Sequence, residues 1–181
     1  MGDICIRNAK NAVVGLIDLC QYIGLTKNMR MVEIGSYVGD STKVFAERFE
    51  KVFAIDPWRN GYDDSDAASY QFDMAKVELQ FDTLCSEYKN IEKMKCRSDQ
   101  GYYLLNVNYP GKVFDFVYID GLHSYEGVKH DIHIWKWKIK EGGFIGGHDY
   151  SMKKFPGVVQ AVNEYKMPDM TFSDTSWIIK L

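Results

Sequence analysis

The sequence predicts an α/β fold, a doubly wound, Rossmann-like, mostly parallel seven-stranded sheet with an antiparallel hairpin at its C-terminal edge. Three observations lead there. Short apolar runs alternate along the chain with amphipathic stripes of helical period. Polar or glycine residues follow each of the first five runs, and residues 170–181 carry two strand-like runs around a tight turn near Asp174. The length of 181 residues suits one domain, 1–181, and is too short for an eight-fold β/α barrel.

Taken in order, residues 8–23 form an amphipathic helix within an N-terminal helical segment, 1–28, that precedes the Rossmann-like core, 29–181. Residues 29–34 are a short apolar strand ending at Gly35, Ser41 starts a helix through residue 48, and 51–55 is a second strand ending at Asp56-Pro57. A polar loop, 58–66, leads into a long helix to about residue 88. Residues 91–97 are a weaker strand, 100–107 a short helix and 113–119 the most apolar strand. Ser124 suits the N-cap of a helix over 124–140, with Glu126 and Asp131 toward its start and Lys136, Lys138 and Lys140 at its end, as the helix dipole prefers. Gly142-Gly143 stops that helix, 144–147 is a fifth strand, and Pro156 opens a helix over 156–165. Trp135 and Trp137, two apart, cannot share a helix face, so one packs on the sheet and the other sits at a rim or in a homodimer contact.

Composition narrows the function. The net charge of -3, with 46% hydrophobic and 26% charged residues, gives no footprint for a phosphate backbone, so nucleic acid is not the expected partner. No apolar run approaches the roughly 18 residues that span a bilayer, and the N-terminal stretch around Val13 to Leu19 is interrupted by Asp18. Met1-Gly2 lacks the hydroxyl residue that a myristoylation site needs, since position 6 is Ile. Cys5, Cys20, Cys85 and Cys96 form no CxxC pair, which fits reduced thiols in a cytoplasm.

In a doubly wound sheet, ligands bind beyond the carboxyl ends of the strands. Here those ends read Glu33-Ile34-Gly35-Ser36, then Asp56, Ser98-Asp99, Asp120-Gly121 and His148-Asp149. Gly35 and Gly39 permit a sharp turn and a close ligand approach, but G-x-x-x-G lacks the second glycine that admits a pyrophosphate, which counts against NAD. Asp56, 21 positions after Gly35, is placed to accept both ribose hydroxyls. Singly, each residue also has a bland account: Gly35 and Gly39 as turn glycines, Asp99 as a helix cap, Glu33 as a paired carboxylate under the loop.

The segment Val32-Glu33-Ile34-Gly35-Ser36-Tyr37-Val38-Gly39-Asp40-Ser41-Thr42 resembles motif I of class I S-adenosylmethionine-dependent methyltransferases. The run from Phe116 through Asp120-Gly121-Leu122-His123-Ser124-Tyr125-Glu126-Gly127-Val128 to Asp131, with Gly142 to Tyr150, is similar to a small group of them. That group includes macrocin O-methyltransferase-like and cephalosporin hydroxylase-like proteins, and the likeness covers roughly residues 29–165. The resemblance implies that Glu33, Gly35, Ser36, Asp56, Ser98 and Asp99 contact S-adenosylmethionine, with Asp99 near the adenine. Gly39, Ser41 and Asp120 complete the cofactor set.

Methyl transfer to a hydroxyl needs alignment and removal of a proton, by a general base or by a cation that lowers the hydroxyl pKa. Asp120 and Asp149 end neighbouring strands and suit one hard cation such as Mg2+. The resemblance supports this, since related metal-dependent O-methyltransferases use acids at those two strand ends. The departure is Tyr150, where they carry Asp or Asn. His123 is the favoured base and His148 the second candidate; strand alternation sends His148 and Asp149 to opposite sides, so both should not face the acceptor. His130 and His133 share a helix face but have no third ligand beside them. Trp58, Arg59 and Tyr62 form either a flap over the acceptor or a solvated loop. Three readings stand: a metal-assisted O-methyltransferase of a small hydroxylated acceptor, sugar or natural-product-like; a metal-free one with a histidine base; and a cofactor-binding module without turnover.

Overall fold

The computed structural model describes residues 10–181. Met1, Gly2 and Cys5, and the first two residues of the expected N-terminal helix, lie outside that range. Strands and helices alternate as α1 (Lys10–Ile23), β1 (Arg30–Ile34), α2 (Asp40–Ala46), β2 (Lys51–Asp56), α3 (Ala68–Gln71), α4 (Met74–Glu87) and β3 (Ile91–Lys95). They continue as α5 (Ser98–Asn108), β4 (Phe114–Ile119), α6 (Tyr125–Trp135), β5 (Ile139–Gly147), α7 (Pro156–Tyr165), β6 (Met170–Thr171) and β7 (Trp177–Lys180). The seven-stranded sheet has the order β3-β2-β1-β4-β5-β7-β6. β1 to β5 are parallel, and β7 is antiparallel to both β5 and β6. Strand order reverses between β1 and β4, which makes their C-terminal ends the switch point where a cleft opens.

The central strands are apolar on both faces because both are covered. Val32, Ile34, Phe53, Ile55, Val117 and Ile119 pack under α5, α6 and α7, while their neighbours Met31, Val52, Phe116 and Tyr118 pack under α1 and α2. Each such fully buried aliphatic or Phe side chain contributes about 1.5–3 kcal/mol of burial free energy. A third cluster joins Ala54 and Trp58 to Val77 and Phe81 of α4.

Two expected helices are shorter. The helix over 124–140 ends at Trp135, followed by a 3-10 turn at Lys136–Lys138. The Lys138 side chain turns inward, 1% exposed, with its ammonium donating to the Tyr109 carbonyl and to Asn106 Oδ1 at 3.4 Å. Ile139 then pairs with Phe114, so the strand begins five residues before the expected 144. Gly142-Gly143 lie inside β5 rather than ending a helix: Gly142 has φ 74°, and from Phe114↔Ile139 to Phe116↔Phe144 the chain takes two steps on β4 against five on β5. The glycines allow this bulge. The long helix to residue 88 is split, because Phe72 is extended and Asp73 caps a new helix by accepting the Ala75 N–H at 3.1 Å. Ser124 caps α6 as expected, accepting the Gly127 N–H at 3.1 Å. Trp135 is fully buried and Trp137 is 57% exposed. Among the described residues no helix is long and apolar enough to cross a membrane.

Candidate active site

A cavity of about 580 Å3 opens over the C-terminal ends of the parallel strands, within the ordinary range for small-molecule sites. Its first wall is the turn after β1. The Gly35 N–H donates to the Ile55 carbonyl at 2.8 Å and the Asp120 N–H to the Ile34 carbonyl at 2.7 Å, which ties the tips of β1, β2 and β4 together. Gly35 has φ 85°, and a Cβ there would overlap the Asp120 carbonyl, so the close approach requires glycine. Beneath the turn, Glu33 is fully buried and accepts hydrogen bonds from Ser36 Oγ (2.9 Å), Ser41 Oγ (2.5 Å) and Thr42 Oγ1. Glu33 therefore shapes the cradle from below; Gly35, Ser36 and Ser41 line the cavity, whereas Glu33 and Gly39 do not.

Asp56 closes the second side. Its Oδ1 accepts the Trp58 N–H at 2.6 Å and its Oδ2 the Tyr37 N–H at 3.0 Å, and burial pushes the carboxyl up to about 6 despite these bonds. Each oxygen keeps a lone pair for a ligand hydroxyl. Of the loop expected over 58–66, Trp58 is buried against Phe81 at 4.8 Å and donates its Nε1–H to the Tyr37 carbonyl at 2.8 Å. Arg59 and Tyr62 line the cavity. Ser98 lines it too, but Asp99 does not: its side chain is 50% exposed and pairs with Arg97 Nε at 3.3 Å.

The opposite end is charged. Asp120, His123 and Asp149 each offer a ligand atom within 4.8 Å of the others, the spacing of a metal-binding cluster. His123 Nε2 is 2.8 Å from Asp149 Oδ2 and 3.6 Å from Asp120 Oδ1, yet this buried nitrogen makes no well-directed hydrogen bond. On the other edge of the ring, Nδ1 is 2.6 Å from Asp63 Oδ2, which also accepts the His123 N–H at 2.9 Å. Asp63 Oδ1 is itself held by the Ser65 N–H (2.8 Å) and Oγ (2.6 Å). Burial alone would lower the imidazole pKa; the surrounding carboxylates of Asp120, Asp149 and Asp63 reverse this and push it up to about 12. Asp63 and Asp149 are held well below the usual carboxylate range, because these hydrogen bonds outweigh burial.

His148 and Asp149 both face the cavity, contrary to strand alternation. Asp149 has φ 60°, a left-handed turn at the end of β5 that swings its carboxylate back to the same side. His148 Nδ1 lies 3.2 Å from Asp149 Oδ1 and 3.8 Å from Asp120 Oδ1. His130 and His133 are exposed on α6, away from the cavity. Cys20, Cys85 and Cys96 are free thiols.

Sequence reasoning missed Asp63 and the buried side of Asp131. Asp63-Asp64-Ser65 has the residue types of an Asx turn, a signal of local order in the loop but not of its reach to His123. Asp131 falls in the apolar stripe of Val128, Ile132 and Trp135, and an acid on a buried helix face was the available clue.

A family model described as a methyltransferase domain matches residues 32–150. Solved structures share the fold at low identity. The calicheamicin methyltransferase CalS11 has a TM-score of 0.65 at 13% identity, covering 93% of this chain and 77% of that one. The O-methyltransferase NovP has 0.62 at 16%, covering 91% and 78%. An rRNA methylase from Streptococcus thermophilus has 0.56 at 14%, covering 90% of each. Of two others with this fold, the chain spans 49% and 66% of their length. No curated protein matches the sequence.

Proposed function

Because this chain belongs to the methyltransferase-domain family, as a class I S-adenosylmethionine-dependent methyltransferase, we propose that it is an O-methyltransferase of a small hydroxylated acceptor, assisted by a divalent cation. The observation that carries the proposal is the convergence of Asp120, His123 and Asp149 in a cavity that the Gly35 turn also lines. Eight of the lining residues are aspartates, against Arg59 and Lys154. Such a wall favours a sulfonium and a metal ion and disfavours a polyanion. The motif from residue 116 to 131 supports placement among the macrocin O-methyltransferase-like proteins, with a sugar or natural-product-like acceptor.

The donors present fit a cation. Two carboxylate oxygens and an imidazole nitrogen lie within ligand spacing, and Nε2 is buried without a directed partner. Asp63 fixes the proton on Nδ1 and leaves Nε2 to the cluster, the carboxylate–histidine arrangement that orients metal ligands. Oxygen donors alone suit Mg2+; the nitrogen extends the fit to Mn2+ or Zn2+. A bound cation supplies Lewis acidity that lowers the acceptor hydroxyl's pKa. Asp56 and the Gly35 turn would hold the donor and the protein walls would exclude water, so that an acceptor hydroxyl at the Asp120–His123–Asp149 cluster would be aligned with its methyl group. The carboxylates around His123 push its pKa up, which weighs against that residue as the base of a metal-free mechanism.

Titration calorimetry should show binding of S-adenosylhomocysteine and none of NAD, and chelation should leave that binding intact while abolishing methylation of an identified acceptor. Binding of NAD alone would overturn the cofactor reading; turnover that persists in EDTA would overturn the metal one.

A further inference from the structure

Asp131 is 3% exposed, yet it lines the cavity. Its Oδ1 accepts the Ser98 hydroxyl at 2.5 Å, and Ser98 Oγ in turn accepts the Trp135 indole N–H at 2.8 Å. This relay points the serine hydrogen at Oδ1 and fixes the rotamer of the acid. Among the described residues no donor reaches Oδ2. On a residue otherwise buried, an acceptor oxygen left to the cavity marks a place where a ligand donor is expected. Burial, with a further push from the Asp99 charge, raises the carboxyl to about 7, and Ser98 only partly offsets this.

The surroundings define the ligand part. Ser98, Cys96 and Tyr62 also line the cavity, and the Cys96 N–H donates to the Asp56 carbonyl at 3.1 Å. S-adenosylmethionine carries only three kinds of donor: the ribose hydroxyls, the α-ammonium and the exocyclic amine of adenine. Asp56 suits the hydroxyls, and the Gly35 turn with Ser36 and Ser41 lines the region left for the amino-acid end. The exocyclic amine is the donor left to meet Asp131 Oδ2.

We propose that Asp131, oriented by Ser98 and Trp135, reads the exocyclic amino group of the cofactor's base and selects a 6-aminopurine over a 6-oxopurine. This rests on the cofactor assigned above. It moves base recognition from Asp99, which faces solvent, to a residue of α6 that sequence order places 33 positions after Ser98.

The test compares S-adenosylhomocysteine with S-inosylhomocysteine, in which a carbonyl oxygen replaces the amine. By calorimetry the wild-type chain should bind the adenosyl compound about tenfold or more tightly. In Asp131→Asn the amide oxygen can keep the Ser98 hydrogen while its NH2 faces the cavity, so the preference should vanish or reverse toward the inosyl compound. Asp99→Asn should leave it unchanged, and melting curves of both variants report folding independently. If Asp131→Asn keeps the wild-type preference, or if Asp99→Asn removes it, the assignment is overturned while the methyltransferase reading stands. If the wild-type chain binds neither compound, both fall together.

Discussion

The cradle around Gly35 and the cluster around His123 line one cavity and are built by opposite means. The cradle is a local structure: Glu33, Ser36, Ser41 and Thr42 lie within ten residues, and the three hydroxyls all donate to the Glu33 carboxylate. The cluster gathers Asp63, Asp120, His123 and Asp149 from three separate segments, with His123 set among three carboxylates. A cofactor seat that is finished before its ligand arrives holds geometry cheaply. A set of carboxylates crowded around one imidazole instead stores an electrostatic demand that a cation relieves.

Three substitutions would break or sharpen that contrast. The largest effect is expected at the charged end, where Asp149→Ala removes a ligand from a small donor set; turnover should fall by about 100-fold or more, with S-adenosylhomocysteine affinity within about twofold of wild type. A matching loss of cofactor affinity would show that the two ends are one site. Next, Asp63→Asn should cost about 10–100-fold in metal affinity, read by competition with a chelating dye, because the histidine loses the carboxylate that sets its tautomer. Unchanged metal affinity would reduce Asp63 to a loop anchor. The smallest effect belongs to the cradle: Glu33→Gln replaces an ionised acceptor of three hydroxyls and should lower stability by about 1–3 kcal/mol in urea unfolding, while folded protein keeps its turnover. Loss of turnover without loss of stability would place Glu33 in the chemistry.

This division also explains what could be read from sequence. Period and strand ends reveal the order of elements, the antiparallel edge, and the cavity positions of Gly35, Ser36, Ser41, Asp56, Ser98, Asp120 and Asp149, because each depends on a strand tip and its own turn. Asp63 was hidden because its reach spans 60 positions and depends on the path of a loop. The common side of His148 and Asp149 was hidden because a single left-handed residue cancels strand alternation. The early start of β5 was hidden because a lysine-rich stretch resembles a helix end, whereas Lys138 is buried and hydrogen bonded to the chain after α5. Local periodicity carries no information about any of the three.

The bonds that tie the tips of β1, β2 and β4 have a consequence for redesign. Asp120 follows a strand that lies directly beside the strand leading into Gly35, and the carbonyl of Ile34 holds its amide at 2.7 Å. The separation between the Gly35 turn and Asp120 is thus inherited from the spacing of adjacent strands, about 4.8 Å, and not from the loops that dress the opening. Residues 151–154 can therefore be treated as an exchangeable fitting, altered to change which molecules enter, whereas 58–66 carries Asp63 and belongs to the frame.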